Sequence, residues 1–189
     1  MKLLEEKILK EGVVIDNSIL KVDHFINHQI DTKLMDLFAE EVKKCFINSQ
    51  IDKILTIEAS GIAIAYAVSE TFNNLPFVFA RKNKSSIIDD NVYKTEIKSF
   101  TQNKITTVTV AKNFLKKGER ILIVDDFLAE GNAAMGLIDI CQQAGAIVVG
   151  FADMIEKEFQ GGKKRLLNQG VKVYSGAVIK AFKDNKPIF

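Results

Sequence analysis

The stretch Ile121-Leu122-Ile123-Val124-Asp125-Asp126-Phe127-Leu128-Ala129-Glu130-Gly131-Asn132-Ala133-Ala134 decides the fold. Its first four residues are apolar and three of them are β-branched, which suits a strand buried on both faces. Two adjacent carboxylates end the run, and a short turn containing Gly131 follows. Apolar residues then recur at 134, 137, 138, 141 and 144 before Gly145, so the spacing predicts a helix over 133–144. A strand, a tight loop and a helix in this order turn backbone N–H groups and the positive end of a helix dipole toward the loop, which makes a phosphate site. Carboxylates at the strand tip beside it can accept hydrogen bonds from sugar hydroxyls. The implied ligand carries both a phosphate and a polyol, as a ribose phosphate does.

Working outward, other strand tips supply compatible groups. Residues 53–57 read as a core strand ending in Glu58-Ala59-Ser60-Gly61, followed by a small-residue helix over 62–73. That second small, Gly-containing turn lets backbone amides approach an anion closely. Residues 77–80 form a third strand running into Arg81-Lys82-Asn83-Lys84. The cations read either as a diphosphate clamp or as a solvated charge run. Residues 85–91 are polar and non-periodic, as in a mobile loop. Residues 92–100 and 105–111 alternate and suit a long antiparallel hairpin turning at Thr101-Gln102-Asn103, placed like a lid. The strand 147–155 delivers Glu156, Lys157 and Phe159 to the same edge. A short helix over 162–168 and two apolar pieces, 171–174 and 177–179, complete the sheet.

Before the first core strand, the pattern gives a helix over 3–11 and a small hairpin of 13–15 with 19–22. The non-periodic 23–29 reads either as a lid over a polar heterocycle or as a connecting loop. Asp31 is placed to N-cap a helix over 32–48 with the stripe Leu34, Leu37, Phe38, Val42, Cys45 and Phe46. The element order predicts one domain over 1–189, a doubly wound, mostly parallel α/β fold. It carries a hood region at 1–30 and an inserted flexible loop and hairpin at 82–112.

The composition is ordinary for a globular chain of 189 residues, with 47% apolar and 26% charged residues. A net charge of +2 argues against nucleic-acid binding. No apolar run reaches the ~20 residues that span a bilayer, and the first seven residues lack signal-peptide character. No membrane contact and a cytoplasmic location are therefore expected. Cys45 and Cys141 lie on helical stripes and read as reduced core thiols.

These residues resemble the type I phosphoribosyltransferases. The stretch from Ile121 to Ala133 is similar to that family's phosphoribosyl-diphosphate signature: four apolar residues, two acids, two apolar residues, a glycine-bearing loop, then a helix. Nearly the whole chain is similar to the xanthine-using members. Matching stretches include Asn27-His28-Gln29-Ile30-Asp31, Thr56-Ile57-Glu58-Ala59-Ser60-Gly61-Ile62, Val78-Phe79-Ala80-Arg81-Lys82 and Ile155-Glu156-Lys157.

The resemblance implies transfer of a 5-phosphoribosyl group from phosphoribosyl diphosphate to N9 of xanthine, yielding XMP and pyrophosphate. It assigns the 5′-phosphate to Ala129, Glu130, Gly131, Asn132 and Ala133, and the ribose hydroxyls to the catalytic pair Asp125 and Asp126. The pyrophosphate falls to Glu58, Ala59, Ser60 and Gly61. Leu20, Asn27, Phe127 and Lys157 become base contacts, while Arg81 and Lys82 reach a diphosphate across a homodimer interface. Mg²⁺ is implied as cofactor, held mainly through the donor diphosphate with no dedicated protein ligand set. At Glu130 the chain departs from the pattern, since a carboxylate would face a phosphate; there the backbone N–H is expected to bind. No residue stands out as a general base, and xanthine is itself acidic. The competing readings are the same reaction on guanine or hypoxanthine, and a non-enzymatic regulator that senses phosphoribosyl diphosphate. Such regulators carry an added DNA-binding domain, whereas this fold begins almost at Met1.

Overall fold

In the computed structural model, residues 1–83, 91–99 and 104–189 are described. A seven-stranded sheet with order β5-β6-β4-β3-β7-β8-β9 forms the centre. Five of its strands run parallel: β3 (Lys53–Ile57), β4 (Phe77–Asn83), β7 (Arg120–Leu128), β8 (Ile147–Lys157) and β9 (Val173–Ile179). The remaining two, β5 (Val92–Ser99) and β6 (Lys104–Ala111), form the antiparallel hairpin, and β6 also pairs antiparallel with the end of β4. This is the expected doubly wound α/β architecture. The expected hairpin turn at Thr101-Gln102-Asn103 and most of the loop expected over 85–91 lie outside the described residues.

Each strand–helix–strand unit packs its helix against one face of the sheet. Leu122 and Val124 of β7 join a core with Phe38 of α2 (Thr32–Cys45) and Ile64 of α3 (Gly61–Thr71). Ile121 and Ile123 point the other way, into a core with Leu137 and Cys141 of α4 (Asn132–Ala144). A strand buried on both sides needs apolar residues at every position, which is what the sequence supplies there. α1 (Lys2–Glu11) and the two-stranded hairpin β1 (Val13–Ile15) and β2 (Ile19–Lys21) lie outside the main sheet, as expected.

Several boundaries differ from the sequence reading, for physical reasons. β7 runs on through Asp125 and Asp126 to Leu128, because its neighbour β8 continues the parallel ladder, pairing Asp125 with Asp153 and Leu128 with Glu156. β4 likewise extends to Asn83, since β6 pairs with Arg81, Lys82 and Asn83. Asp31 does cap α2, accepting the Leu34 N–H at 3.1 Å, but the helix ends at Cys45. Leu37 is exposed, and Met35 and Ala39 take its place in the core. The irregular segment after β2 contains a single π-helical turn over Asp23–Asn27 that buries Phe25 and Ile26. β9 is one strand through Ser175 and Gly176. After it comes a hairpin absent from the sequence reading, β10 (Ala181–Lys183) with β11 (Lys186–Ile188). Cys141 is buried, its thiol pushed up to about 12 by burial, and Cys45 is half-buried; both are free thiols.

The hairpin β5–β6 is fastened to α4. The Gln143 amide of α4 donates to the Lys94 carbonyl at 2.8 Å and accepts from the Lys94 N–H at 3.2 Å. Ile97 seats against Gly136, where a Cβ would come within 2.7 Å of Ile97 Cγ1. The hairpin thus lies along α4, from Gly136 near its start to Gln143 near its end.

β8 packs closely at Gly150, where a Cβ would fall 2.3 Å from Phe46 Cε1 and 3.0 Å from the Lys172 carbonyl oxygen. Phe46 is fully buried and the carbonyl belongs to backbone, so neither yields readily. Gly150→Ala is expected to lower unfolding free energy by about 1–3 kcal/mol, the usual cost of overpacking. Urea denaturation followed by far-UV circular dichroism measures it.

Candidate active site

The carboxyl ends of β3 and β7 each lead into a helix whose start has no side-chain cap. Ser60 precedes α3 and Gly131 precedes α4, and neither position carries a capping hydrogen bond from a side chain. First-turn amides have no partner within their own helix and concentrate positive potential at one edge; in α3 the Ile62 N–H donates to the Ala59 carbonyl at 3.1 Å. Local geometry permits this. Gly131 sits at φ +79°, the left-handed region, with its Cα face against Gly162. Gly61 approaches so closely that a Cβ would overlap the buried Thr56 hydroxyl.

Between the two helix starts is a cleft of about 480 Å³. Most of the residues expected in the donor site line it: Glu58 and Ser60 from the first loop, Asp125, Asp126 and Phe127 from β7, and all five residues of 129–133. Lys82 lines it too, whereas Arg81 does not; alternation along β4 turns consecutive side chains to opposite faces. Ala59 and Gly61 complete the first loop without lining the cleft themselves. The hairpin contributes Ile97, Lys98, Thr106 and Val108, none of which the sequence reading singled out.

The acidic pair is not symmetric. Asp125 is only 4% exposed, and its Oδ1 accepts the N–H of Asp126 at 2.9 Å. Asp126 is half-buried, with Oδ1 accepting the Phe127 N–H at 2.9 Å. Burial pushes the Asp125 carboxyl well above the usual range, the neighbouring Asp126 charge adds to this, and Lys82 opposes it. Glu58 accepts the Lys82 N–H at 2.6 Å, so its carboxylate joins the first loop to β4.

The second loop is braced from behind by α5 (Gly162–Asn168), a support with no signature in the sequence. The Gly162 N–H donates to the Ala129 carbonyl at 3.0 Å. Arg165 donates to the Glu130 carbonyl at 2.7 Å and to Asn132 Oδ1 at 2.8 Å. The Asn132 amide in turn donates to Glu130 Oε2 at 3.0 Å and to the Lys98 carbonyl of β5 at 3.2 Å. The Glu130 side chain is therefore engaged with the loop itself. Lys163 pairs with buried Glu156 at 3.0 Å, which holds α5 on the end of β8.

Beside this cleft, Lys157 Nζ stands 5.8 Å from the centre of the Phe127 ring and donates to the Ser18 carbonyl at 3.0 Å. Burial lowers its pKa. Leu20, two residues beyond Ser18, is buried in the same core that Phe127 packs against, and Asn27 is exposed at the end of the π-helical turn.

The match to the family "Phosphoribosyl transferase domain" covers residues 25–174 and includes every element lining the cleft. The chain belongs to the phosphoribosyltransferases. Over all 189 residues this phosphoribosyltransferase is 50% identical to the xanthine phosphoribosyltransferase of Clostridium tetani and 52% identical to xanthine phosphoribosyltransferase 1 of Clostridium perfringens, covering 100% of each chain. Its fold superposes on the adenine phosphoribosyl transferase of Trypanosoma brucei, solved with AMP, pyrophosphate and ribose-5-phosphate, with a TM-score of 0.77. That likeness covers 97% of this chain and 82% of the other at 18% identity, and concerns the fold.

A divalent cation fits this phosphoribosyltransferase in one way. Glu58, Asp125 and Asp126 offer hard oxygen donors on one cleft, the chemistry Mg²⁺ takes. Yet among the described residues no group of three His, Cys, Asp or Glu could hold an ion unaided. The residues suit an ion that arrives with anionic substrate oxygens and keeps part of its water.

Two outcomes follow. A carboxyl whose pKa is raised by folding favours the native state below its unfolded pKa, and that contribution is lost as pH rises through the folded value. Asp125→Asn keeps the acceptor for the Asp126 N–H and removes the buried charge. It is expected to melt about 3 °C higher than the parent at pH 7, with the gap closing as pH falls toward 4, in calorimetric scans across pH. Arg165→Met removes two charge-assisted hydrogen bonds from the loop, and the KM for the phosphorylated donor is expected to rise about tenfold. Initial-rate kinetics with the donor varied checks this.

Proposed function

We propose that this enzyme transfers the 5-phosphoribosyl group from phosphoribosyl diphosphate to N9 of xanthine, forming XMP and pyrophosphate in purine salvage. One observation carries the reaction class: two uncapped helix starts bracket a pair of carboxylates on a single cleft. That pattern offers two anion sites and, between them, acceptors for sugar hydroxyls. The choice of xanthine rests on the names of relatives that are half identical over the full length.

In this reading the amides of 129–133 and the start of α4 take the 5′-phosphate. The Glu58-Ala59-Ser60-Gly61 loop and Lys82 take the diphosphate. Arg81 is exposed on the other face of β4, and a second copy of the chain would bring it to a neighbouring site. The exposed Tyr66 and Phe79 support a homodimer of this kind. Mg²⁺ carried by the donor, with Glu58, Asp125 and Asp126 as the nearest carboxylates, offsets charge on the departing diphosphate.

Substitution at the anomeric carbon builds positive charge on the ribose ring. Asp126 holds a ring hydroxyl directly, and the largely buried Asp125 fixes the Asp126 backbone. The Asp126 carboxylate favours the developing cation, and the preset loops hold donor and base in line. Phe127 lies against the purine, Leu20 and Asn27 bound it from the hood, and the Lys157 ammonium donates to a purine acceptor. Among the described residues no side chain stands out as a base for the N9 proton, and xanthine is itself acidic enough to shed it. A cytoplasmic location belongs to this reading. No helix among the described residues is long and apolar enough to cross a membrane.

The test is product formation with xanthine, guanine and hypoxanthine at equal concentration. XMP is expected to dominate; dominance of GMP or IMP replaces the base, and no nucleotide at all overturns the reading. Lys157→Ala is expected to raise the KM for xanthine at least about tenfold while the donor KM stays within about twofold, the loss of one charged donor.

A further inference from the structure

The hairpin β10–β11 has no place in the site described so far, yet it touches the ammonium assigned to the base. β9 pairs Lys157 with Ile179, and the chain then turns into β10, which carries Phe182. Lys157 Nζ lies 5.7 Å from the centre of the Phe182 ring and 5.8 Å from that of Phe127. Its third neighbour is the Ser18 carbonyl at 3.0 Å. Two ring faces and one carbonyl thus surround an ammonium that has no carboxylate partner among the described residues. Ring faces attract a cation without consuming its N–H donors. Of the three N–H groups, one is spent on Ser18 and two remain for a ligand.

The C-terminal hairpin is also tied to the N-terminal one. Asn17 and Asn185 both sit in turns with positive φ, at 46° and 54°, preceded by Asp16 and Asp184 in the same region. Each turn thus has two consecutive left-handed residues, a conformation Asn and Asp tolerate. The Asn17 N–H donates to Asn185 Oδ1 at 3.0 Å and the Asn185 N–H donates to Asn17 Oδ1 at 2.7 Å. The clasp joins the turn that supplies the Ser18 carbonyl to the hairpin that supplies Phe182. Phe159 packs edge-on against Phe182 at 5.7 Å and limits its tilt. Both ends of the chain therefore fix one ammonium.

We propose that the C-terminal hairpin is a wall of the base site, with Phe182 the positioning residue that, through the Asn17–Asn185 clasp, holds the Lys157 ammonium toward the purine. This rests on the reading of Lys157 as a base contact. The hairpin acts on base affinity and not on donor binding, because its ring contacts and side-chain hydrogen bonds among the described residues run to Lys157, Phe159 and Asn17.

The experiment compares Phe182→Leu, Phe182→Tyr and the double variant Asn17→Gly with Asn185→Gly, alongside Lys157→Ala. Glycine keeps the left-handed turns and removes only the side-chain acceptors. Phe182→Leu is expected to raise the KM for xanthine about fivefold with the donor KM within about twofold, since the apolar volume stays and the ring face goes. Phe182→Tyr keeps the face and is expected to stay within about twofold of the parent, and the double glycine variant to raise the xanthine KM about threefold. The proposal falls if Phe182→Leu matches the parent, if Phe182→Tyr loses as much as Phe182→Leu, or if both KM values rise together. A Lys157→Ala enzyme with unchanged xanthine KM overturns the base role of Lys157 and this proposal with it. A Lys157→Ala defect with a silent Phe182→Leu overturns this proposal alone.

Discussion

Burial of β7 on both faces is the constraint on which the rest of the molecule depends. It lies between β3 and β8 in the sheet, with one apolar core above it and another below. Such a strand can meet water only at its end. The charged residues that follow its apolar run are consequently pressed to the carboxyl edge, where the preceding strand β3 also opens. Edge placement gathers the two loops, and the lack of capping side chains at α3 and α4 leaves their amides to a ligand. Because β8 continues the ladder past Val124 and pairs with Asp125, Asp125 lies buried at the wall of the cleft while Asp126 beside it is more exposed. One pairing thus separates two neighbouring carboxylates by environment.

Charge at the cleft is arranged in compensating pairs. Lys82 stands near Asp125 and gives its N–H to Glu58. Arg165 holds the Glu130 carbonyl and Asn132, and Asn132 holds the Glu130 carboxylate. A carboxylate beside a phosphate loop is repulsive in isolation. Here it is directed back onto the loop, and the nearby guanidinium offsets its charge. The Asn132 bond to the Lys98 carbonyl links the same loop to the hairpin over the cleft. Loop order and hairpin position are consequently coupled through one amide.

The fold and most of the residues that line the cleft were legible in the chain because their signals are local. The apolar run 121–124, the glycine at 131 and the helical spacing after it lie within a few residues of each other, and so do the parts of the 58–61 loop. The short helix over 162–168 and the N-cap at Asp31 were legible for the same reason. Elements whose extent depends on a partner strand were not. β4 and β7 outrun their apolar residues because β6 and β8 supply the missing hydrogen bonds, and polar residues pay no penalty at a sheet edge. Leu37 satisfied the helical period of α2 yet faces solvent, since the sheet meets α2 on the side of Met35 and Ala39.

The sequence by itself determined the fold class, the two glycine-bearing loops at the strand ends and the acidic pair, because backbone propensity, glycine freedom and apolar periodicity act over short stretches of chain. Only the tertiary structure decided which acid is buried, that Lys82 and not Arg81 lines the cleft, that Arg165 braces the 129–133 loop, and that Phe182 stands beside Lys157. Each of these depends on strand register or on contacts between residues far apart in the chain, as with Asn17 and Asn185. Long-range contacts of this kind leave no period or spacing in the sequence, so they become visible only when the sheet has set the elements side by side.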